Sequence, residues 1–420
     1  MWYNIDNENS NAILEQYYFY YKMKSSKNEI NLIIDVGSGS VGVAVVSVCS
    51  SPSVTPEIFY TNRKEIKYYG GLNSRRFLFS MISAFEEALN DVQKNFISIS
   101  KNKINIKETH CFFSSLWHIS QTRVLINENR KDTKITKSLI NEIVEKESKI
   151  FETSTLKSGI NISAENDVQI IEEKIMQIKL NGYETSEPYS KIAKTLEINF
   201  FISAVSKKVI EILEESFFRF FNNKIIQYHT FINTAFVALR DINPTINDYL
   251  FLDISGEVTE IAIIKNGVLF DSISFPFGKS SIIRKLSESL GTNREEAVSR
   301  ALLYKSNNLI KTKDSKISKI IKDLMKEWHK MFDISIKQLL SNIALPQVIF
   351  FMSDDDINQL VGDFIKLYKF DNIDTFEKLV NVKFVDNEIF DRYVKYSNQR
   401  EKDQFLSLEA VFLKKIRKLK

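Results

Sequence analysis

The sequence predicts an α/β protein of two related halves around a cleft, with a small α+β subdomain inserted in the first half. Three observations lead there. A strand–turn–strand segment beginning at Leu32 recurs without a gap at Leu250. Alternating strand and helix patterns follow each copy. Between residues 107 and 195 the texture changes to long strand-like stretches around one polar helix. At 420 residues the chain is too long for one core and suits two to three domains.

The repeat is the most informative feature. Leu32-Ile-Ile-Asp35-Val-Gly-Ser-Gly-Ser-Val-Gly-Val-Ala-Val-Val46 lies over Leu250-Phe-Leu-Asp253-Ile-Ser-Gly-Glu-Val-Thr-Glu-Ile-Ala-Ile-Ile264. A period this long marks a duplicated domain, not a solenoid. A turn of small residues exposes backbone N–H groups that can close on phosphate oxygens, and glycine permits the close approach. An aspartate ending the first strand suits magnesium held through water, which assigns that role to Asp35 and Asp253. Two such loops face to face would grip one nucleotide. Unrelated β-hairpins are the bland alternative, and a copy at the head of each half weighs against it.

The elements follow in order. Residues 1–28 form an N-terminal extension whose aromatic run, Tyr17–Tyr21, is expected to pack on the body as a helix. Strands at Asn31–Val36 and Val41–Val48 precede a helix at Arg75–Val92, with Phe77, Met81, Phe85, Ala88, Leu89 and Val92 on one face. The insert, residues 107–195, holds strands at Thr109–Leu116 and Gln121–Ile126 and a helix at Thr136–Ile150. Val168–Lys179 follows with mixed periodicity, then a turn at Asn181–Gly182. The first domain, residues 29–106 and 196–247, resumes with a strand at Leu196–Ser203 and helices at Lys207–Phe221 and Asn233–Leu239. The second, residues 248–413, opens on a three-strand meander, Tyr249–Phe275, whose Asn266–Gly267 pair suits a type I′ turn. Helices at Ser280–Leu290, Arg294–Tyr304, Ser315–Leu340 and Asp356–Tyr368 surround a short strand at Gln347–Met352, and a helix at Asp403–Lys420 ends the chain.

Composition excludes several classes. Only 12 glycines and 6 prolines rule out collagen-like, linker and proline-rich chains. With 57 basic and 53 acidic residues the net charge is +4, which gives no argument for nucleic-acid binding. Two cysteines, Cys49 and Cys111, cannot build a disulfide framework, and the chain reads as cytoplasmic. No apolar run reaches the length of a membrane span, and no secretory signal is visible. The histidines, His110, His118, His229 and His329, lack metal-ligand spacing. Gly37-Ser-Gly-Ser-Val-Gly42 matches a dinucleotide fingerprint but leads into a β-rich run, not a helix.

On these residues the chain resembles the actin/Hsp70/sugar-kinase superfamily, and within it the FtsA and PilM branch. Asp35-Val-Gly-Ser-Gly-Ser-Val41 resembles that family's first phosphate motif, and Asp253-Ile-Ser-Gly-Glu-Val-Thr259 its second. Phe275-Pro-Phe-Gly-Lys279 resembles the segment after the second loop in FtsA. Leu180-Asn-Gly-Tyr-Glu-Thr-Ser-Glu-Pro188 resembles the close of the SHS2-type insert. The resemblance implies two actin-like (ribonuclease H-like) domains around a nucleotide cleft. It implies that Asp35, Gly37, Ser38, Gly39 and Ser40 hold the β/γ-phosphates of ATP, with Asp253, Ser255, Gly256 and Thr259 opposite. Gly278, Glu296 and Ser353 complete the implied nucleotide set.

The departures imply weak ATP and magnesium binding or none, and at most slow turnover. Ser255, Glu257 and Val258 replace a glycine, a glycine and a hydroxyl residue; a carboxylate at Glu257 facing a phosphate would repel it. Phe350-Phe-Met-Ser-Asp-Asp-Asp356 lacks the adenosine-site glycine pair. Ser299 stands where a lysine is expected, with Arg300 beside it.

The function implied is an adaptor or scaffold in cell division or type IV pilus assembly, with protein partners and self-association into filaments. The rivals are a pseudo-ATPase binding module and a sugar-kinase-type phosphotransferase, for which no catalytic carboxylate is evident. The C-terminal helix carries two readings. Phe405, Leu408, Phe412, Ile416 and Leu419 share a face beside Lys414, Lys415, Arg417, Lys418 and Lys420 in the basic tail, residues 414–420. That profile suits a helix on the inner face of the cell membrane. It also suits the last core helix, which the absence of a linker favours.

Overall fold

The computed structural model describes residues 29–49, 51, 53–67, 74–97, 105–157, 167–221, 225–302, 315–340, 344–368, 380–397 and 402–418. Tyr17–Tyr21 and Leu419 lie outside them. The duplicated segments become duplicated topology. In the first half β1 (Glu29–Val36), β2 (Ser40–Val48) and β3 (Glu57–Glu65) form an antiparallel meander, and β4 (Glu108–Phe113) and β9 (Ile226–Thr230) extend it in parallel beside β1. In the second half β10 (Tyr249–Ser255), β11 (Val258–Lys265) and β12 (Val268–Phe275) repeat the meander. There β13 (Val348–Ser353) and β14 (Asn381–Phe384) take the parallel positions. A two-residue strand, β15 (Lys395–Tyr396), joins the open side of β3 and gives the six-stranded order β15-β3-β2-β1-β4-β9.

Strand parity decides which face each side chain serves, because neighbouring residues point to opposite faces of a sheet. Leu32, Ile34, Val41, Val43 and Val45 meet α1 (Ser74–Val92) and α3 (Lys207–Phe220). Ile33, Ala44, Val46 and Val48 meet α4 (Phe231–Ile242) and α10 (Gln404–Lys418). In the second half Leu250, Leu252, Ile261 and Ile263 face α5 (Lys279–Leu290), α7 (Ser315–Leu339) and α8 (Asn358–Lys366), with α6 (Arg294–Leu302) at the margin. Tyr249, Phe251, Ala262 and Ile264 turn towards α4 and α10 again. One apolar core containing α4 and α10 therefore joins the two sheets. Covered on both faces, the central strands read as near-continuous apolar runs.

The sheets place two boundaries differently from the expectation. β4, expected in the insert, belongs to the first half's sheet. The strand expected at Leu196–Ser203 is the end of β8 (Ile192–Ser206), which sits inside the insert. The insert's sheet runs β5-β8-β6-β7, from β5 (His118–Lys134), β6 (Val168–Leu180), β7 (Tyr183–Glu184) and β8. α2 (Lys137–Lys157) covers one face through Ile140 and Phe151. The mixed periodicity at Val168–Lys179 has a physical source: β6 shifts register against β8 at Ile170/Glu172 and at Ile175/Gln177, which breaks the alternation.

The terminal helix follows the core reading, and its basic tail is drawn in with it. Phe405, Leu408 and Phe412 are buried in the shared core. Lys414 donates to Val54 O, Lys415 pairs with Asp241 at 2.8 Å, and Arg417 donates to Val48 O at 3.0 Å and Asn31 Oδ1 at 2.8 Å. The apolar stripe read as a membrane face is spent on the fold, and three of the basic side chains are spent on the protein.

Candidate functional site

The two repeated loops meet face to face. Ser38 Oγ accepts the Glu257 N–H at 3.0 Å, and Gly39 lies against Gly256 so closely that a Cβ on Gly39 would stand 2.6 Å from Gly256 Cα. Gly256 has φ +53°, and a Cβ there would fall 2.2 Å from Ser38 Oγ. Only glycine on both sides permits this approach. Gly278, just before α5, buttresses the second loop: its N–H donates to Glu257 O at 3.1 Å, and Ser280 N–H to Gly256 O at 2.7 Å. Each loop is also held by an indole. Trp117 Nε1 donates to Gly37 O at 2.8 Å from beside Leu116, whose φ is 90°, and Trp328 Nε1 donates to Thr259 Oγ1 at 3.3 Å.

Arg63 occupies the neighbourhood of the first loop. It stands on β3 opposite Gly42 of β2, where a Cβ would lie 2.7 Å from its Nη2. The bare glycine lets the guanidinium cross the sheet face. Nη2 donates to Asp35 Oδ2 at 2.8 Å and Asp403 Oδ1 at 3.1 Å, Nε to Asp403 Oδ2 at 2.6 Å, and Nη1 to Ser40 Oγ at 3.0 Å. The ring of Phe405 lies 5.2 Å away. Asp403 in turn accepts the N–H groups of Phe405 and Leu406 and so caps α10.

The carboxyls around this arginine are unusual. Burial raises the Asp35 pKa to about 6, against the pull of Arg63. Asp253 is pushed well above the carboxylate range by burial, with Glu260, Asp35 and Asp354 adding to the shift. Glu409 of α10, fully buried with neither oxygen partnered, is pushed up by burial and by Asp35. His118, at the root of the insert, reaches across to the second half, its Nε2 3.6 Å from Glu260 Oε1.

The remaining expected residues are partly gathered here. Asp35, Gly37, Ser38, Gly39, Ser40, Asp253, Ser255, Gly256, Thr259 and Gly278 belong to this centre. Ser353 ends β13, its carbonyl accepting from Gln404 Nε2. The following aspartates hold Lys279, whose Nζ lies 2.9 Å from Asp354 and 2.8 Å from Asp356. Glu257, expected to face a phosphate, is paired with Arg284 at 2.9 Å. Glu296 is exposed on α6 and accepts from Arg300, away from this centre.

Magnesium-nucleotide does not fit this arrangement. Asp35 is engaged by a guanidinium, and burial favours the uncharged form of Asp253. The amide of Glu257 and the hydroxyl of Ser38 satisfy each other. Arg63, Asp403 and Lys279 were invisible as site residues in the sequence. The one available signal for Arg63 was a glycine inside the valine-rich strand β2.

No family model matches the chain, and no curated protein does. Solved structures do. The PilM–PilN type IV pilus biogenesis complex superposes with a TM-score of 0.58 at 12% identity, covering 93% of this chain and 98% of that one. A Bacteroides thetaiotaomicron protein with an actin-like ATPase fold and unknown function gives 0.41 at 9% identity, with 92% and 96% covered. The ethanolamine utilization protein EutJ from Carboxydothermus hydrogenoformans gives 0.38 at 11%, with 92% and 89% covered.

Proposed function

We propose that this chain, which has the actin-like ATPase fold, is a PilM-like adaptor or scaffold that assembles protein partners and has given up nucleotide as its ligand. The observation that carries the reading is Arg63. Its guanidinium joins Asp35 at the first loop to Asp403 at the head of α10. An internal cation thus stands beside a loop that would otherwise receive a magnesium-phosphate group. The PilM–PilN structure supports a place in a pilus-type machine: it superposes with a TM-score of 0.58 over nearly the whole of both chains. No helix among the described residues is long and apolar enough to cross a membrane. The apolar face of α10 is buried in the core shared by the halves, so attachment to the cytoplasmic face through partners, not through that face, fits this reading.

Titration of the full chain with ATP and with ADP, each with magnesium, tests this by calorimetry. We expect no saturable heat from either. Saturable micromolar binding that disappears in Asp35→Ala overturns the reading and restores a working phosphate clamp.

A further inference from the structure

A row of ionisable side chains runs through the buried joint between the insert and the first half. Strands β4 and β9 lie side by side with Phe112 opposite His229. His110 and His229 therefore fall on one face of the sheet, and Glu108, two residues before His110, shares it. Both imidazoles are buried, His110 at 1% exposure. His110 Nδ1 lies 3.1 Å from His229 Nε2, and the rings stack with centroids 5.4 Å apart. At one end His110 Nε2 is 3.3 Å from Glu108 Oε2. At the other His229 Nδ1 is 3.6 Å from Oε1 of Glu172, which belongs to β6 of the insert. Phe112 and Phe412 close over His229, each with its centroid 5.0 Å away.

Each element packed on the pair brings its own charges. β6 carries Glu172 and Lys174, 3.0 Å apart. α10 carries Arg417, whose Nη2 lies 3.4 Å from Glu108 Oε2, and Glu409, one turn before Phe412. Glu29 of β1 pairs with Arg417 and with Lys107. α4 contributes the neutral amide of Asn233 to Glu172 at 3.0 Å. Burial raises the Glu172 carboxyl, but Lys174 and His229 outweigh burial and hold it at about 2. The Arg417 guanidinium faces Glu108 as a partner for a carboxylate. The two ends of the row are thus acceptors, and a hydrogen for each contact has to come from the imidazoles.

Three contacts, Glu108 to His110, His110 to His229 and His229 to Glu172, each need one hydrogen between their heavy atoms. Two neutral imidazoles bring two N–H groups, one each. The third hydrogen is a proton taken from solvent. It is also the limit, because two imidazolium rings would set N–H against N–H at 3.1 Å. We propose that the His110–His229 pair carries one extra proton and serves as a pH-sensitive latch holding the insert to the first half. Loss of that proton leaves a lone pair facing a carboxylate at one end of the row. The Glu172 contact is the longest of the three, so it is the one that opens. Glu172 also accepts from Thr230 at the head of α4, so the loosening reaches that helix. The docked insert binds more protons than the loosened one. Docking is therefore firm at mildly acidic pH and weakens as pH rises through the range in which imidazole releases its proton. The latch goes beyond the adaptor reading and stands without it.

Imidazole nitrogen-15 NMR of the full chain counts the protons, and amide hydrogen exchange reads the latch. At pH 6 we expect His110 and His229 to show one imidazolium and one neutral ring, or the averaged signal of a proton shared between them. The Thr230 amide donates to Glu172 at 2.9 Å. Its protection, with the base-catalysed rate divided out, should fall about tenfold between pH 6 and pH 8.5, the ratio that one pH unit of preferential proton binding gives. The Glu388 amide of the short helix α9 (Asn387–Phe390) donates to the Asp386 carboxylate at 3.0 Å and should keep its protection. His110→Gln retains a donor and an acceptor without a titrating ring, and there the Thr230 protection should stay level with pH. Two neutral rings at pH 6 overturn the proposal. So does a Thr230 protection that is level in wild type, or that falls equally at Glu388 or in His110→Gln. If His110→Gln does not fold, the proton count and the exchange of wild type decide. Nucleotide binding by the chain would strike the adaptor reading and leave these outcomes as they are.

Discussion

Replacing Arg63 by methionine keeps the aliphatic length of the side chain and removes the guanidinium. Asp35, at 3% side-chain exposure, then loses the only cation paired with it among the described residues, Asp403 loses two hydrogen bonds and Ser40 loses one. Removing one partner of a buried pair costs about 3–5 kcal/mol, because a charge stays buried without compensation. The cost should depend on pH in a definite direction. The folded pKa of Asp35, about 6, lies above its unfolded value. Folding therefore takes up a proton between the two values. The group favours the native state most below the unfolded value and loses that advantage as pH rises through the folded value. Without Arg63 the folded value moves higher still. At pH 7.5 the full loss is expected. At pH 5 Asp35 is mostly protonated, and only hydrogen-bond-sized losses of about 1–2 kcal/mol remain. Urea unfolding of wild type and Arg63→Met at both pH values measures this. Asp35→Asn in the Arg63→Met background should recover at least half of the loss at pH 7.5. A loss equal at both pH values, or no recovery in the double variant, would refute the argument.

Two further predictions follow from contacts of the same kind. Glu172, on the shifted stretch of β6, accepts from Thr230 N–H at 2.9 Å, Thr230 Oγ1 at 2.6 Å and Asn233 Nδ2 at 3.0 Å, tying the insert to the start of α4. Burial raises its carboxyl, but Lys174, His229 and Thr230 outweigh that and hold it at about 2. Its contribution is therefore complete above the unfolded value and is lost as pH falls towards 2. Glu172→Gln should lower stability by about 2–4 kcal/mol at neutral pH and flatten the fall of melting temperature between pH 5 and pH 3. Gly256→Ala should part the loops and speed hydrogen exchange at the Glu257 amide. Gly182→Ala, at φ +85° with nothing within 4 Å of a Cβ, supplies the backbone-strain control of about 1 kcal/mol and should leave that amide unchanged.

The fold was legible where local pattern and global position agree. The runs at Leu32–Val46 and Leu250–Ile264 announced the paired halves because strands covered on both faces cannot disguise their hydrophobicity. β3 escaped notice: Glu57–Glu65 is polar and mostly half-buried, and it is a strand because β2 lies beside it. The insert's limits were misplaced because β4 and β8 are both apolar strands, and only pairing tells which sheet each joins. The loops of the candidate site were readable from their small residues. What fills the site was not, since Arg63 and Asp403 are 340 residues apart in sequence and neither sits in a motif. Glu257 looked like a charge aimed at a phosphate because Arg284, its actual partner, lies on the next helix.

The tryptophans give the molecule a built-in optical readout. Trp117 and Trp328 are both buried, and each donates its indole N–H to a different one of the repeated loops. Trp117 is stacked on Phe77 with ring centroids 5.2 Å apart, and Trp328 on Phe332 at 4.7 Å. Fluorescence of a chain reduced to either one, with the other and Trp2 replaced by phenylalanine, reports on one half at a time. Movement of a single loop would change one emission spectrum and leave the other still. Without any added dye, such a pair shows whether a bound partner moves the halves together or acts on one of them.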